Sequence, residues 1–290
     1  MLNIAFNCVM NTIHSVCDMQ QWSCATREAG KKIAFVPTMG FLHEGHVALM
    51  REGKGMGDYL VVSIFVNPTQ FGVDEDYEDY PRDLEGDTEK ASSAGGNIIF
   101  APSVKEMYPS GYQTFVAVEK VTQNLCGASR PIHFQGVTTV VAKLFNIVKP
   151  HVAIFGEKDY QQLVTIRQMT RDLNFDIEII GMPTIREEDG LAMSSRNKYL
   201  SAEEKKQALC LFNALNQVEK LFQGGEKNAK KLIDRAAEII RVQPAAAIDY
   251  VKVCHPETIE DLEWIDDRAL IALAVKIGKT RLIDNRTLKN

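Results

Sequence analysis

The sequence predicts an α/β protein: a parallel sheet flanked by helices, followed by a smaller α+β unit. Three observations carry this. Residues 58–66 form an almost unbroken apolar run, the pattern of a strand buried on both faces of a parallel sheet. Such runs alternate with helical periodicity, as at Val140, Val141, Leu144, Phe145 and Val148. After Pro183 the composition shifts to a charged, turn-rich stretch, then to two long helical patterns and two strands.

Residues 1–13 read as a poorly specified lead-in and residues 16–29 as the first helix. Residues 31–36 form a short strand bounded by Gly30 and Pro37. A turn carrying His43 and His46 follows, and Val47, Leu49 and Met50 start a helix expected to stop at the alternate glycines Gly53, Gly55 and Gly57. The strand at 58–66 empties into a loop holding Gln70, and the acidic stretch 74–89 reads as a solvated helix face and loop. Residues 97–101 make the next strand, 102–136 a Pro- and Gly-rich excursion, 137–148 a helix and 150–155 a strand. That strand ends in Gly156, Glu157, Lys158 and Asp159, before a helix with Gln162 in its first turns. Residues 176–180 are the last strand of a first domain assigned to residues 1–183. The second, residues 184–290, opens on a loop around Met193 that could serve as a lid. In it Ser201 and Glu204 form a capping box for a helix to residue 222, followed by a helix over 228–242 and strands at 248–253 and 269–275.

Hydrophobic content of 45% and charged content of 24% over 290 residues are ordinary for a globular protein with a large core. A net charge of −5 argues against a broad nucleic-acid surface. Six cysteines with no C-x-x-C pair suit reduced thiols rather than a disulfide frame or zinc site. The first residues lack the basic region of a signal peptide, and no apolar run nears the roughly 20 residues of a membrane span. These features predict a soluble, cytoplasmic protein with no nucleic-acid or membrane partner.

The turn after the first strand is the most informative stretch. His43 and His46 stand three residues apart where a helix begins, and exposed N–H groups and the helix dipole attract anions there. Imidazoles at such a place donate to phosphate oxygens. Paired histidines at this spacing also suit a metal site or plain surface polarity. The metalloprotease pattern, with histidines four apart, is not met, and Gly40 and Gly45 in a strand–turn–helix setting favour phosphate. Gln70 follows the carboxyl end of a strand, the edge at which open α/β sheets bind ligands. Its amide suits a small hydroxy acid, against the simpler reading of solvent contact. Lys158 can set an ammonium against phosphate, with Gly156 permitting close backbone approach. Ser194, Ser195 and Arg196 can bind phosphate oxygens on a loop able to close.

Taken in order, four segments closely resemble the motifs of the pantoate–β-alanine ligase family. They are Pro37-Thr38-Met39-Gly40 with His43-Glu44-Gly45-His46; residues 63–71, ending Asn67-Pro68-Thr69-Gln70-Phe71; Phe155-Gly156-Glu157-Lys158-Asp159-Tyr160-Gln161-Gln162; and Asp189-Gly190-Leu191-Ala192-Met193-Ser194-Ser195-Arg196-Asn197. The first is similar to the His-x-Gly-His signature shared with class I aminoacyl-tRNA synthetases and nucleotidyltransferases. The resemblance spans nearly the whole chain. It implies a Rossmann-like first domain, dimerisation through that domain, and a requirement for ATP with Mg2+. The implied reaction activates pantoate as pantoyl adenylate, releasing pyrophosphate, after which β-alanine displaces AMP.

The resemblance also implies the site. Met39, Gly40, Phe41, Leu42, His43, Glu44, Gly45 and His46 would line ATP, with His46 as proton donor. Gly156, Glu157, Lys158, Asp159, Ile185, Met193, Ser194, Ser195 and Arg196 would complete that site. Gln70 and Gln162 would hold pantoate, Gln70 also lying near β-alanine, and His43, His46 and Lys158 would be catalytic. The metal ligands stay open, Asp87 being the nearest acidic candidate. Two residues depart from the family pattern. Phe41 stands where the family commonly has a small or polar residue. Ile132 stands where it usually has glycine, and a β-branched residue resists positive φ, which weakens any substrate role for Arg130.

Two other readings compete. Another His-x-Gly-His nucleotidyltransferase, acting on a phosphate acceptor, would call for more cationic residues than Gln70 and Gln162 supply. A non-catalytic nucleotide sensor would not need His43, His46 and Lys158 together. A tRNA ligase fits poorly with an acidic chain and no evident anticodon domain.

Overall fold

The computed structural model describes residues 10–72 and 75–289. The chain divides into two compact units. The first holds the described residues up to Ala117 with Ile132–Gly156 and Ile166–Met182; the second holds Val118–Pro131, Glu157–Thr165 and the chain from Pro183 onward. Two short segments that precede residue 183 thus fall in the second unit.

In chain order the elements are β1 (Asn11–Ile13), α1 (Val16–Glu28), β2 (Ile33–Thr38), α2 (Glu44–Met56), β3 (Tyr59–Ile64), α3 (Leu84–Ser93) and β4 (Ile98–Phe100). There follow α4 (Val104–Met107), α5 (Cys126–Ser129), α6 (His133–Val148), β5 (Val152–Gly156), α7 (Tyr160–Asp172) and β6 (Glu178–Met182). The six strands form one parallel sheet in the order β1-β4-β3-β2-β5-β6. Strand order reverses between β2 and β5, so their carboxyl ends flank the switch point at which such sheets bind ligands.

The sheet's centre is the apolar runs read from the sequence. Ala34, Val36, Leu60, Val62, Val152 and Ile154 pack under Val47 and Met50 of α2, and burying each large aliphatic side chain contributes about 1.5–3 kcal/mol. Helix α2 ends within the expected glycine run, at Met56 with Gly57 as its C-cap, and Gly53 and Gly55 lie in its last turns. A Cβ on Gly53 would lie 3.0 Å from Ile154 Cδ1 and 3.1 Å from Leu60 Cδ1, so this glycine brings the helix down onto the sheet. The lead-in reading fails at Asn11–Ile13, which pairs in parallel with β4; residues 1–9 lie outside the described residues. The 102–136 excursion contains α4, α5 and a 3-10 turn at Lys120–Thr122, and α6 begins at His133, four residues before the expected start. Ile132, just ahead of it, has φ −91°, so no glycine-only conformation is needed there. Phe41, at φ +51°, is one of the described non-glycine residues held at positive φ, with Leu125, Lys149, Asn174 and Ile259.

In the second unit, α8 (Ala202–Gln223) and α9 (Ala229–Arg241) pack on β7 (Ala246–Cys254), β8 (Arg268–Ile277) and β9 (Thr280–Lys289). These strands form an antiparallel sheet in that order. The capping box forms, with Ser201 N donating to Glu204 Oε2 at 2.9 Å and Glu204 N to Ser201 Oγ at 3.3 Å. Leu211, Leu215, Val218, Leu232, Ile240, Val253, Ile271 and Leu273 share one core. The sequence reading missed β9, which follows β8 through Gly278 and Lys279 in a tight hairpin. Among the described residues no helix is long and apolar enough to cross a membrane.

Candidate active site

In the first unit the turn after β2 is built from both sides. Gly40, at φ +85°, and Phe41 reverse the chain, and the Asp87 carboxylate of α3 reaches back to accept from Phe41 N at 2.7 Å and Leu42 N at 2.6 Å. Thr38 Oγ1 accepts from Gly40 N at 3.1 Å and donates to Ser63 O of β3 at 2.8 Å. Asp87 is fully buried. Burial pushes its carboxyl above the ordinary range, against the pull of the Leu42 and Phe41 N–H groups.

His43 is the N-cap of α2, and the two imidazoles are fixed reciprocally. His43 Nδ1 accepts from Gly45 N at 3.2 Å, and His46 Nδ1 accepts from His43 N at 3.3 Å. The rings lie tilted with centroids 4.1 Å apart. An Nδ1 that accepts an N–H carries no proton, so each neutral ring carries its proton on Nε2. Both Nε2 protons therefore stand near the positive end of a helix. Of the neighbouring residues, Leu42 is buried in the core and Glu44 pairs at the surface with Arg51 at 2.6 Å. Leu42 can therefore serve a ligand only through its backbone.

Gln70 ends a 3-10 turn, Pro68–Gln70, just beyond β3, and it is buried rather than solvated. Its Nε2 donates to Met39 Sδ at 3.1 Å, which joins the β2 and β3 turns. Its Oε1 accepts from Asn67 Nδ2 at 3.0 Å, and the same Nδ2 donates to Gly136 O at 3.1 Å. Asn67 Oδ1 accepts from Tyr108 Oη at 2.8 Å and Thr69 Oγ1 at 2.9 Å. Burial pushes the Tyr108 phenol up to about 12, so it stays a donor at neutral pH. His133 Nδ1 lies 2.9 Å from Gln70 O. Helix α6 comes close because of Gly136, whose Cβ would meet Thr69 O at 2.3 Å. Asn67, Tyr108, His133 and Gly136 escaped the sequence reading; the Asn-Pro turn beside Gln70 was the available signal for the first of them.

In the second unit Glu157–Asp159 form a 3-10 turn that continues the chain from Gly156. Lys158 Nζ lies 3.9 Å from Asp159 Oδ2, and Asn285 Nδ2 donates to the carbonyls of Glu157 and Lys158, each at 2.9 Å. Gln161, at the start of α7, is a buried clamp. It accepts from Cys126 N at 3.0 Å and donates to Val121 O at 2.9 Å and Asn124 O at 2.7 Å. Gln162, its neighbour, is half-buried. Ile185 and Met193 face each other across a short hairpin, Met193 N donating to Ile185 O at 3.0 Å. Ser194 Oγ accepts from Arg196 N at 3.2 Å, and Asn197 Nδ2 donates to Glu187 Oε1 at 2.8 Å. Among the described residues no group of three His, Cys, Asp or Glu side chains could cage a metal. Asp87, the acidic candidate, already holds two N–H groups.

The sequence model of the family described as pantoate-beta-alanine ligase matches residues 11–287. The pantothenate synthetase of Geobacter sulfurreducens is 59% identical over 279 residues, covering 96% of this chain and 99% of that protein. That of Desulfatibacillum aliphaticivorans is 57% identical over 280 residues, covering 97% of this chain and all of the relative. The crystal structure of pantothenate synthetase from Thermus thermophilus superposes with a TM-score of 0.90 at 45% identity, covering 96% and 99% of the two chains. Pantoate-beta-alanine ligase from Francisella tularensis, complexed with beta-gamma ATP and beta-alanine, superposes with a TM-score of 0.76 at 34% identity, covering 96% of this chain and 97% of that one.

Proposed function

The chain belongs to the pantoate–β-alanine ligase family, and from that premise we infer that it joins pantoate to β-alanine at the expense of ATP. It is an AMP-forming ligase that makes a C–N bond. In the first step a pantoate carboxylate oxygen attacks the α-phosphorus of ATP, and the bond to pyrophosphate breaks. In the second, the β-alanine amine attacks the acyl carbon of pantoyl adenylate, loses a proton, and AMP departs.

The observation that carries the residue assignment is the pinned imidazole pair. A carboxylate attacking a polyphosphate meets like-charge repulsion, so donors must already stand where negative charge accumulates. His43 and His46, with their protons on Nε2, are such donors, and His46 is the proton donor of the reaction. Lys158 and Arg196 add positive charge to the same nucleotide. Gly40, Phe41, Gly45 and Gly156 offer backbone to it, with Met39, Leu42, Glu44, Glu157, Asp159, Ile185, Met193, Ser194 and Ser195 completing its surroundings. Gln70 and Gln162 hold pantoate through neutral amides, which leaves the carboxylate nucleophilic. Gln70 also lies near the β-alanine position.

Mg2+ accompanies the ATP. With no cage of three acidic or imidazole side chains among the described residues, it fits as an ion carried on the triphosphate that keeps most of its waters. There it neutralises phosphate charge. Family resemblance supports a cytoplasmic homodimer formed through the N-terminal domain. The test is exchange of labelled pyrophosphate into ATP without β-alanine. Exchange that depends on pantoate supports the ligase reading; exchange that needs a phosphate acceptor instead, or none at all, refutes it.

A further inference from the structure

We propose that Asp284 and Asn285, adjacent on β9, are positioning residues that set the phosphate-binding groups of the second unit. The inference rests on the assignment of Lys158 and Arg196 to ATP. Asn285 Nδ2 donates to the carbonyls of Glu157 and Lys158, each at 2.9 Å, so one amide holds the turn from which the Lys158 side chain departs. Asp284 takes Arg186 at two points, Nη1 to Oδ2 at 2.7 Å and Nη2 to Oδ1 at 2.9 Å. Arg186 belongs to the hairpin that leads into Ser194, Ser195 and Arg196, and its Nη1 also donates to Gly190 O at 3.1 Å.

The two holds are linked, because Asp284 Oδ1 also accepts from Asn285 N at 2.8 Å. Their platform is firm. Asp284 and Asn285 pair with Leu273 and Ala272 of β8, both buried, and Arg286 donates to Glu219 Oε2 of α8 at 2.6 Å. Both phosphate-binding segments thus hang from consecutive residues of one strand. Lysine has a long flexible stem, so fixing its main chain narrows what its ammonium can reach. A misplacement of ~1 Å at reacting groups can cost about a hundredfold in rate.

The test is a pair of double-mutant cycles read by pantoate-dependent pyrophosphate exchange. Asn285→Ala is combined with Lys158→Ala, and Asp284→Asn with Arg196→Ala. Each positioning variant is expected to slow exchange about tenfold in the natural chain. In the background that lacks the positioned group, the loss should shrink below about twofold. A purely structural role would give the same loss in both backgrounds, and that result, or no loss in the natural chain, overturns the proposal. If Lys158→Ala or Arg196→Ala alone leaves exchange intact, the assignment of that group to ATP fails first and takes the inference with it. Thermal melting checks the fold; should Asn285→Ala not fold, Asn285→Ser replaces it. Where exchange falls below detection, the same cycles are read as ATP affinity.

Discussion

Replacing Asp87 by alanine is the sharpest perturbation of the histidine turn, because this residue lies outside the turn yet supports it. The carboxylate accepts from Phe41 N at 2.7 Å and Leu42 N at 2.6 Å. Hydrogen bonds to a charged acceptor contribute about 1.5–3 kcal/mol each, which sets a gross value of ~3–6 kcal/mol. Desolvation cancels that gain, as the raised carboxyl pKa shows; what alanine costs is the two buried N–H groups it leaves without an acceptor, about 1–3 kcal/mol each. The expected net loss is ~2–4 kcal/mol, measured by urea unfolding at neutral pH. Phe41 at φ +51° holds backbone strain of about 1–3 kcal/mol that relaxes once the pins are gone. Exchange should therefore fall more than about tenfold as the imidazoles lose their geometry.

The same residue predicts a pH dependence. A carboxyl whose folded pKa is raised binds its proton more tightly folded than unfolded. Its share of stability is greatest below the ordinary aspartate value and is lost as pH rises through the raised folded value. Asp87→Asn should remove that component while keeping one of the two N–H contacts. If Asp87→Ala stays within about 0.5 kcal/mol of the natural chain and retains full exchange, the pinned turn is not what organises the site.

Three further outcomes are expected. His46→Ala and Lys158→Ala should each slow adenylate formation at least about tenfold, roughly 1.4 kcal/mol in the barrier, with the protein still folded by thermal melting. Gly136→Ala would press a Cβ to 2.3 Å of Thr69 O and 2.6 Å of Gln70 Cα. It should cost about 1–3 kcal/mol in urea unfolding and raise the KM for pantoate more than that for ATP. Chelating divalent ions should abolish exchange and added magnesium restore it. The melting temperature without ATP should stay put, as befits an ion that arrives on the nucleotide.

What the sequence made legible is local. The runs around Phe35 and Val62, the Ser201–Glu204 box and the turn at His43 are each written within ten residues, so period and spacing expose them. What stayed hidden depends on partners far along the chain. Asp87 sits in an acidic stretch that reads as solvated, and only the return of α3 to the Phe41 turn buries it. The glycine run marks the end of α2, but that Gly53 also lets the helix down onto the sheet shows only once Ile154 and Leu60 are seen beneath it. Gln70 reads as a solvated loop residue without Asn67 and Met39 around it. The glycine that the family pattern has at Ile132 suggested a positive φ, yet φ there is ordinary, and positive φ falls instead at residues such as Phe41 and Ile259 that no local pattern marks. β9 mixes Asp284, Asn285 and Arg286 among few apolar residues, which masks its alternation. The Gly278-Lys279 loop was the signal that could have revealed it.

The central claim is that this chain activates an acid on a nucleotide before any amine arrives. Mass spectrometry of a quenched mixture of enzyme, ATP, magnesium and pantoate tests it most directly. A species of pantoyl-adenylate mass should appear with pyrophosphate and vanish on adding β-alanine, as AMP and pantothenate rise together. Formation of ADP, or of AMP only when β-alanine is present with no adenylate at any time, would contradict it.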